Sequence, residues 1–141
     1  MTIAIVASQF NEFITKRLFD GCLGELKRNG IKATQIKIVW VPGAFEIPIT
    51  ALRLAKKKNI DAVICLGAVI RGETYHFELV AQTAAWGIQQ AALMTGKPVI
   101  FGVLSTDTID QANKRSDVKK DNKGRDAAQA ALEMIGLLKK I

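Results

Sequence analysis

Ala62-Val63-Ile64-Cys65-Leu66-Gly67-Ala68-Val69-Ile70-Arg71-Gly72-Glu73-Thr74-Tyr75-His76 is the stretch on which the fold turns. Its first five residues are apolar at every position and rich in β-branched side chains. That pattern predicts a strand covered on both faces, as in a parallel sheet, because a half-solvated strand would alternate. Three other runs read the same way: Ile3–Ala7, Ile36–Val41 and Val99–Leu104. Between them the apolar period changes to that of a helix. Phe13, Arg17, Leu18, Cys22, Leu26 and Ile31 follow a 3.6-residue repeat, with a stop at Asn29-Gly30. Further helices are predicted over Glu46–Lys58, Thr74–Met94, Ile109–Arg115 and Asp126–Leu138.

Strands that alternate with helices require crossover connections, and right-handed crossovers place helices on both sides of the sheet. The expected fold is α/β: a three-layer α/β/α sandwich with a four-stranded parallel sheet, flavodoxin-like. With 141 residues and no repeat, low-complexity tract or linker, the chain reads as a single domain over 1–141. Hydrophobic residues make up 49% of it, enough to suggest that some are buried between subunits.

The net charge of +7 admits nucleic acid, anionic lipid or an anionic small substrate as partner. The basic residues are dispersed, however, with local groups only at Lys56–Lys58 and Lys114–Arg125. No aromatic lies in either group to stack on bases, so no specific nucleic-acid partner is expected. The apolar run at the N-terminus is cut off by Gln9, Asn11 and Glu12. It is too short for a signal peptide or a membrane span, and no later run is long enough either. Cys22 and Cys65 sit in apolar periodic stretches and read as buried, reduced thiols, consistent with a cytoplasmic protein.

In a sheet of this kind ligands bind beyond the carboxyl ends of the strands. The four tips carry Ser8-Gln9-Phe10-Asn11, Val41–Pro48, Gly67–His76 and Leu104-Ser105-Thr106-Asp107, which should share one rim. His76 is the only histidine. It stands at a predicted helix start, where a positive charge is disfavoured, so a neutral imidazole able to accept a proton is expected there. Arg71-Gly72-Glu73-Thr74 offers free amides for a phosphate or carboxylate. Glu46 reads equally as a structural cap or as a carboxylate for sugar hydroxyls. Phe10 reads equally as a stacking platform for a planar ligand or as simple packing.

Other chemistries are excluded more firmly. One histidine and two separated cysteines make no metal site. There is no Gly-x-Ser-x-Gly elbow, no P-loop, and no Gly-x-Gly-x-x-Gly after the first strand to hold a dinucleotide cofactor. The residues alone thus describe an α/β enzyme with a planar polar ligand, an anionic ligand and one acid/base histidine.

The same tips resemble the lumazine synthase family. The motifs are S-Q-F-N at 8–11, V-P-G-A-F-E-I-P at 41–48, G-A-V-I-R-G-E-T-Y-H at 67–76, and the I-D-Q-A…R…N-K-G run through 109–124. Order and spacing agree over nearly the whole chain. The resemblance implies condensation of 5-amino-6-(ribitylamino)uracil with 3,4-dihydroxy-2-butanone 4-phosphate, with no cofactor and no metal. By the same resemblance Phe10 stacks on the uracil, and Ala44, Phe45 and Glu46 receive the ribityl chain. Ala68, Val69 and Ile70 offer backbone groups to the heterocycle. Glu73, Thr74 and Arg115 hold the phosphate, and His76 transfers protons. Phe101 and Lys123 complete the pocket from a neighbouring subunit. The implied assembly is a homopentamer or twelve pentamers in a shell.

Two departures from the family pattern stand out. The segment Ser116–Asp121 lacks the glycine common before N-K-G, and the chain starts at its first strand, without a leading segment that many members add to a neighbour's sheet. A riboflavin synthase of the archaeal type shares the fold, but its pattern lacks the G-A-F-E-I-P and R-G-E-T-Y-H combination. A non-catalytic flavin or lumazine binder would not need a phosphate clamp.

Overall fold

The computed structural model describes residues 1–141. The chain runs β1 (Ile3–Ser8), α1 (Glu12–Arg28), β2 (Ile36–Val41), α2 (Ile47–Ala55), β3 (Ala62–Ile70), α3 (His76–Thr95), β4 (Val99–Thr106), α4 (Ile109–Arg115) and α5 (Lys123–Leu138). All four strands are parallel and ordered β2-β1-β3-β4. The expected three-layer α/β/α sandwich of flavodoxin-like form is what the chain adopts.

Alternate residues of each strand feed opposite cores, as the two-residue period of a strand requires. Ile3, Ile5, Ile64, Leu66 and Leu104 pack against α1 and α5 through Ile14, Leu18, Leu26 and Ala128. Ala4, Val6, Val63, Cys65 and Val103 pack against α2 and α3 through Ile47, Ala51, Ala84 and Ile88. Both cysteines are free and buried. Burial pushes the Cys22 thiol up to about 12 and the Cys65 thiol higher still.

Several boundaries differ from the sequence expectation. β3 continues four residues past Leu66 because β4 runs beside it to the end, pairing Ala68 with Leu104 and Ile70 with Thr106. Gly67, which ended the β-branched run, is a strand residue. A Cβ there would fall 2.5 Å from Ser8 Oγ, so only glycine admits the hydroxyl of β1 alongside. α3 begins at His76, with Tyr75 rather than Thr74 before it. The second helix is shorter than expected: residues 44–46 form a separate 3-10 turn, and α2 starts at Ile47 with Pro48 in its first turn. α5 starts earlier than expected, at Lys123. Asn122 caps it by accepting from Arg125 N at 2.9 Å.

The glycine-free segment before Asn122 closes as a tight turn. Ser116 and Asn122 bridge each other, Lys119 N donates to Asp117 Oδ1 at 2.9 Å, and Arg125 donates to the carbonyls of Val118 and Lys120. No residue of the turn has a positive φ. Glycine is therefore not required for this conformation.

Candidate active site

The carboxyl ends of the strands carry two cavities that share no lining residue. The larger, about 810 Å³, is lined by tips of β1, β2 and β3 and by the first turns of α3. The second, about 480 Å³, lies along the outer edge of β4 and is closed by Arg115 of α4 and Lys123 of α5.

The larger cavity is built by backbone locks. Gln9 N donates to Val41 O at 2.8 Å and Phe10 N to Pro42 O at 3.0 Å, so the β1 tip is fastened to the β2 tip. Asn11 sits in the left-handed region at φ 58, which asparagine tolerates better than most residues, and its Nδ2 donates to Ala68 O at 2.8 Å. With its side chains held off the core, Phe10 is 71% exposed and Phe45 is 62% exposed, both facing this cavity. Simple core packing of Phe10 is therefore ruled out.

Pairing of β1 with β3 ends at Ala7 and Leu66. Past that point no strand pairs with the β1-side edge of β3; Asn11 takes the Ala68 carbonyl there, and Ala68, Val69 and Ile70 line the cavity floor. Glu46 lines the same cavity and makes no capping hydrogen bond at either helix it adjoins, so the cap explanation does not describe it. Thr74 and His76 complete the wall. The amide of His76 reaches Thr74 Oγ1 at 3.3 Å, and no side chain caps α3. The helix start therefore presents uncapped amides and the positive end of its dipole beside the imidazole. Glu73 is exposed in the same turn but does not line the cavity.

The second cavity gathers Phe101, Arg115 and Lys123. Phe101 is 47% exposed, on the edge strand. Arg115 Nη1 donates to Gln111 O at 3.0 Å, leaving the rest of its fork open. Lys123 stands 3.3 Å from Asp126 and 3.4 Å from Asp121, and these carboxylates, Asp126 first, hold its ammonium above the usual lysine range. Nine of the thirteen predicted site residues thus share one cavity, three lie in the other, and Glu73 stands at the margin.

Gly72, of the turn read as an anion seat, also lines the larger cavity, as do Asn11, Pro42, Gly43, Phe77, Leu79 and Val80, to which sequence reasoning gave no role. Leu79 and Val80 stand three and four residues after His76 on α3, a spacing that signals a shared face. Nothing local marks Pro42 and Gly43 as lining rather than merely turning the chain. No group of three or more His, Cys, Asp or Glu is gathered to hold a metal ion. No helix is long and apolar enough to cross a membrane.

A parallel sheet with aromatic platforms, an unpaired strand edge, a carboxylate, a histidine and uncapped amides at its carboxyl rim defines an α/β enzyme that acts on small polar and anionic molecules. The model of the 6,7-dimethyl-8-ribityllumazine synthase family matches residues 1–139. The chain is 54% identical over 135 residues to a 6,7-dimethyl-8-ribityllumazine synthase of Protochlamydia amoebophila (strain UWE25), covering 96% of this chain and 78% of the relative. The chain belongs to the 6,7-dimethyl-8-ribityllumazine synthase family, transferases of riboflavin biosynthesis.

Proposed function

We propose that the larger cavity is where this enzyme condenses 5-amino-6-(ribitylamino)uracil with 3,4-dihydroxy-2-butanone 4-phosphate, and that a second copy of the chain completes it. The observation that carries this reading is the sorting of residues between the cavities. The one around His76 has aromatic, carboxylate and amide groups but no free cation, and the other has the cations Arg115 and Lys123. A dianionic phosphate needs both, and a neighbouring copy supplies what one chain keeps apart.

In this reading Phe10 stacks on the uracil, while Ala44, Phe45 and Glu46 take the ribityl chain, Glu46 accepting hydroxyl hydrogen bonds. The cavity floor at Ala68, Val69 and Ile70 meets the heterocycle. The main-chain amides of Glu73 and Thr74, just before α3, hold the phosphate. The neighbour contributes Arg115, Phe101 and Lys123. The uracil's amine attacks the ketone and water leaves, giving a Schiff base. Phosphate is then eliminated, and the ring closes with loss of a second water. His76 moves protons in these steps. Amine and ketone are intrinsically reactive, so holding them in line supplies much of the rate.

The assembly that fits is a homopentamer, alone or as twelve pentamers in a shell. Its support is an apolar stripe on α3, where Leu79, Trp86 and Leu93 recur every seventh residue and Trp86 is 69% exposed. A cytoplasmic location accords with the two free, buried thiols.

The test is an absorbance assay for lumazine formation from both substrates beside an enzyme-free control. Saturable formation above the spontaneous rate, dependent on the sugar phosphate, is the expected result. A folded protein that binds lumazine without forming it would overturn the reading in favour of a binding protein.

A further inference from the structure

The turn from β3 to α3 carries Glu73, Thr74 and His76, and little holds it. Residues 71–76 are all exposed, and α3 starts with no side-chain cap. What fastens the turn is Arg71. Its amide donates to Thr106 O at 2.9 Å, continuing the β3–β4 ladder by one step. Its Nε donates to Asp107 Oδ1 at 2.7 Å, just past β4, and its Nη1 donates to Glu78 Oε1 in the first turn of α3. Its guanidinium lies over the Phe77 ring, 4.4 Å from the centroid.

One side chain thus ties the ends of two strands to the two residues that follow His76. Gly72, Thr74, His76 and Phe77 all line the larger cavity, whereas Arg71 does not. It therefore stands behind the wall rather than in it. Exposed ion pairs contribute little to global stability, so this network is poorly explained as a stability device. A planar fork held by two carboxylates and an aromatic face has little angular freedom, which suits it to fixing direction.

We propose that Arg71 is a positioning residue. Through Asp107, Glu78 and Phe77 it fixes the angle at which α3 leaves the rim, and so sets His76 and the first amides of the helix against the sugar phosphate. This rests on the reading of the His76 cavity as the substrate site. The uracil's platform, Phe10, Phe45 and Glu46, stands on other elements and is independent of Arg71.

The experiment measures kcat and both KM values for Arg71→Met, Arg71→Lys, Glu78→Gln, Asp107→Asn and His76→Ala. Arg71→Met is expected to lower kcat about tenfold and raise the sugar-phosphate KM about tenfold, with the uracil KM changed by less than about twofold. Arg71→Lys keeps the charge but has no planar fork to hold both carboxylates, and should stay within about threefold of Arg71→Met in both parameters. Glu78→Gln should shift the same two parameters by less, and the double variant should be no worse than Arg71→Met alone. A loss of folded protein alone would lower kcat and leave both KM values in place.

Unchanged kinetics in Arg71→Met, equal rises in both KM values, or full rescue by lysine would each overturn the proposal. Should Arg71→Met not fold, wild-type kinetics in both Glu78→Gln and Asp107→Asn would do so. Should His76→Ala turn over like the wild type, the site reading itself fails, whatever Arg71 does.

Discussion

His76 and Arg115 of one chain line different cavities, His76 where α3 leaves the tip of β3 and Arg115 where α4 ends along the outer edge of β4. The separation follows from the layers. α3 packs with α2 on one face of the sheet, whereas Ala112 of α4 and Ala127 of α5 belong to the core on the α1 face. Groups that act on the same bound molecules must lie within a few ångströms of them. If both residues serve one reaction, each site takes them from two copies.

Arg115→Ala should raise the KM for the sugar phosphate about 10–100-fold, the equivalent of one charge-assisted contact to phosphate. The KM for the uracil should move by less than about twofold. Steady-state kinetics with each substrate varied in turn would check this. Equal effects on both substrates would remove Arg115 from the role of phosphate clamp.

His76→Ala should slow turnover by roughly 10–1000-fold without abolishing it, since proton transfer is one contribution beside orientation of two reactive partners. Turnover measured alongside circular dichroism separates this from unfolding. Complete loss of activity in a folded variant would mean that His76 does more than move protons.

α1 and α5 touch at Gly124, where an added Cβ would lie 1.8 Å from the Leu18 carbonyl oxygen. Backbone cannot yield as a side-chain tip does, so Gly124→Ala should cost about 3 kcal/mol or more and lower Tm by about 10 °C or more. Gly24, exposed in the interior of α1 with nothing within 4 Å of its added Cβ, should respond oppositely. Gly24→Ala should gain about 0.5–1 kcal/mol through helix propensity. Thermal melts of both variants test the pair.

Glu25 is buried on α1, 2.6 Å from Arg28, 3.1 Å from Asn29 and 3.2 Å from Gln129. Arg28 chiefly, with Gln129 and Asn29 helping against the effect of burial, holds its carboxyl below the usual glutamate range. A depressed carboxylate stabilises the fold above its unfolded value of about 4.3, and that stabilisation is lost as pH falls through the native value. Wild type and Glu25→Gln should therefore differ in Tm above about pH 5 and converge at lower pH. A gap that widened on acidification would have the wrong sign.

What the sequence revealed and what it hid have physical causes. Continuous β-branched runs made all four strands legible, and the strand-end rule then pointed to Phe10, Glu46 and His76 before any coordinates. β3 was read four residues short because Gly67 and Ala68 interrupt the β-branched pattern, while its true length is set by pairing with β4. The sequence places the start of α3 at Thr74, two residues early; the Thr74 hydroxyl accepts the amide of His76, where the helix begins. The resemblance places Phe101 and Lys123 on a neighbouring subunit, but the motifs do not place Arg115 with them, since they say nothing of which face of the sheet α4 and α5 cover. Asn11 was quoted for its motif, but its left-handed backbone and its bond to Ala68 O emerge only when β1 and β3 lie side by side.

The most direct test of a site shared between copies is complementation. His76→Ala chains and Arg115→Ala chains are assembled together from an equal mixture and assayed at low sugar phosphate. Random assembly leaves about one site in four with both native residues, so activity should recover to about a quarter of wild type, well above either parent. Activity no higher than the mean of the two parents would contradict the account, because His76 and Arg115 would then serve no common site across copies.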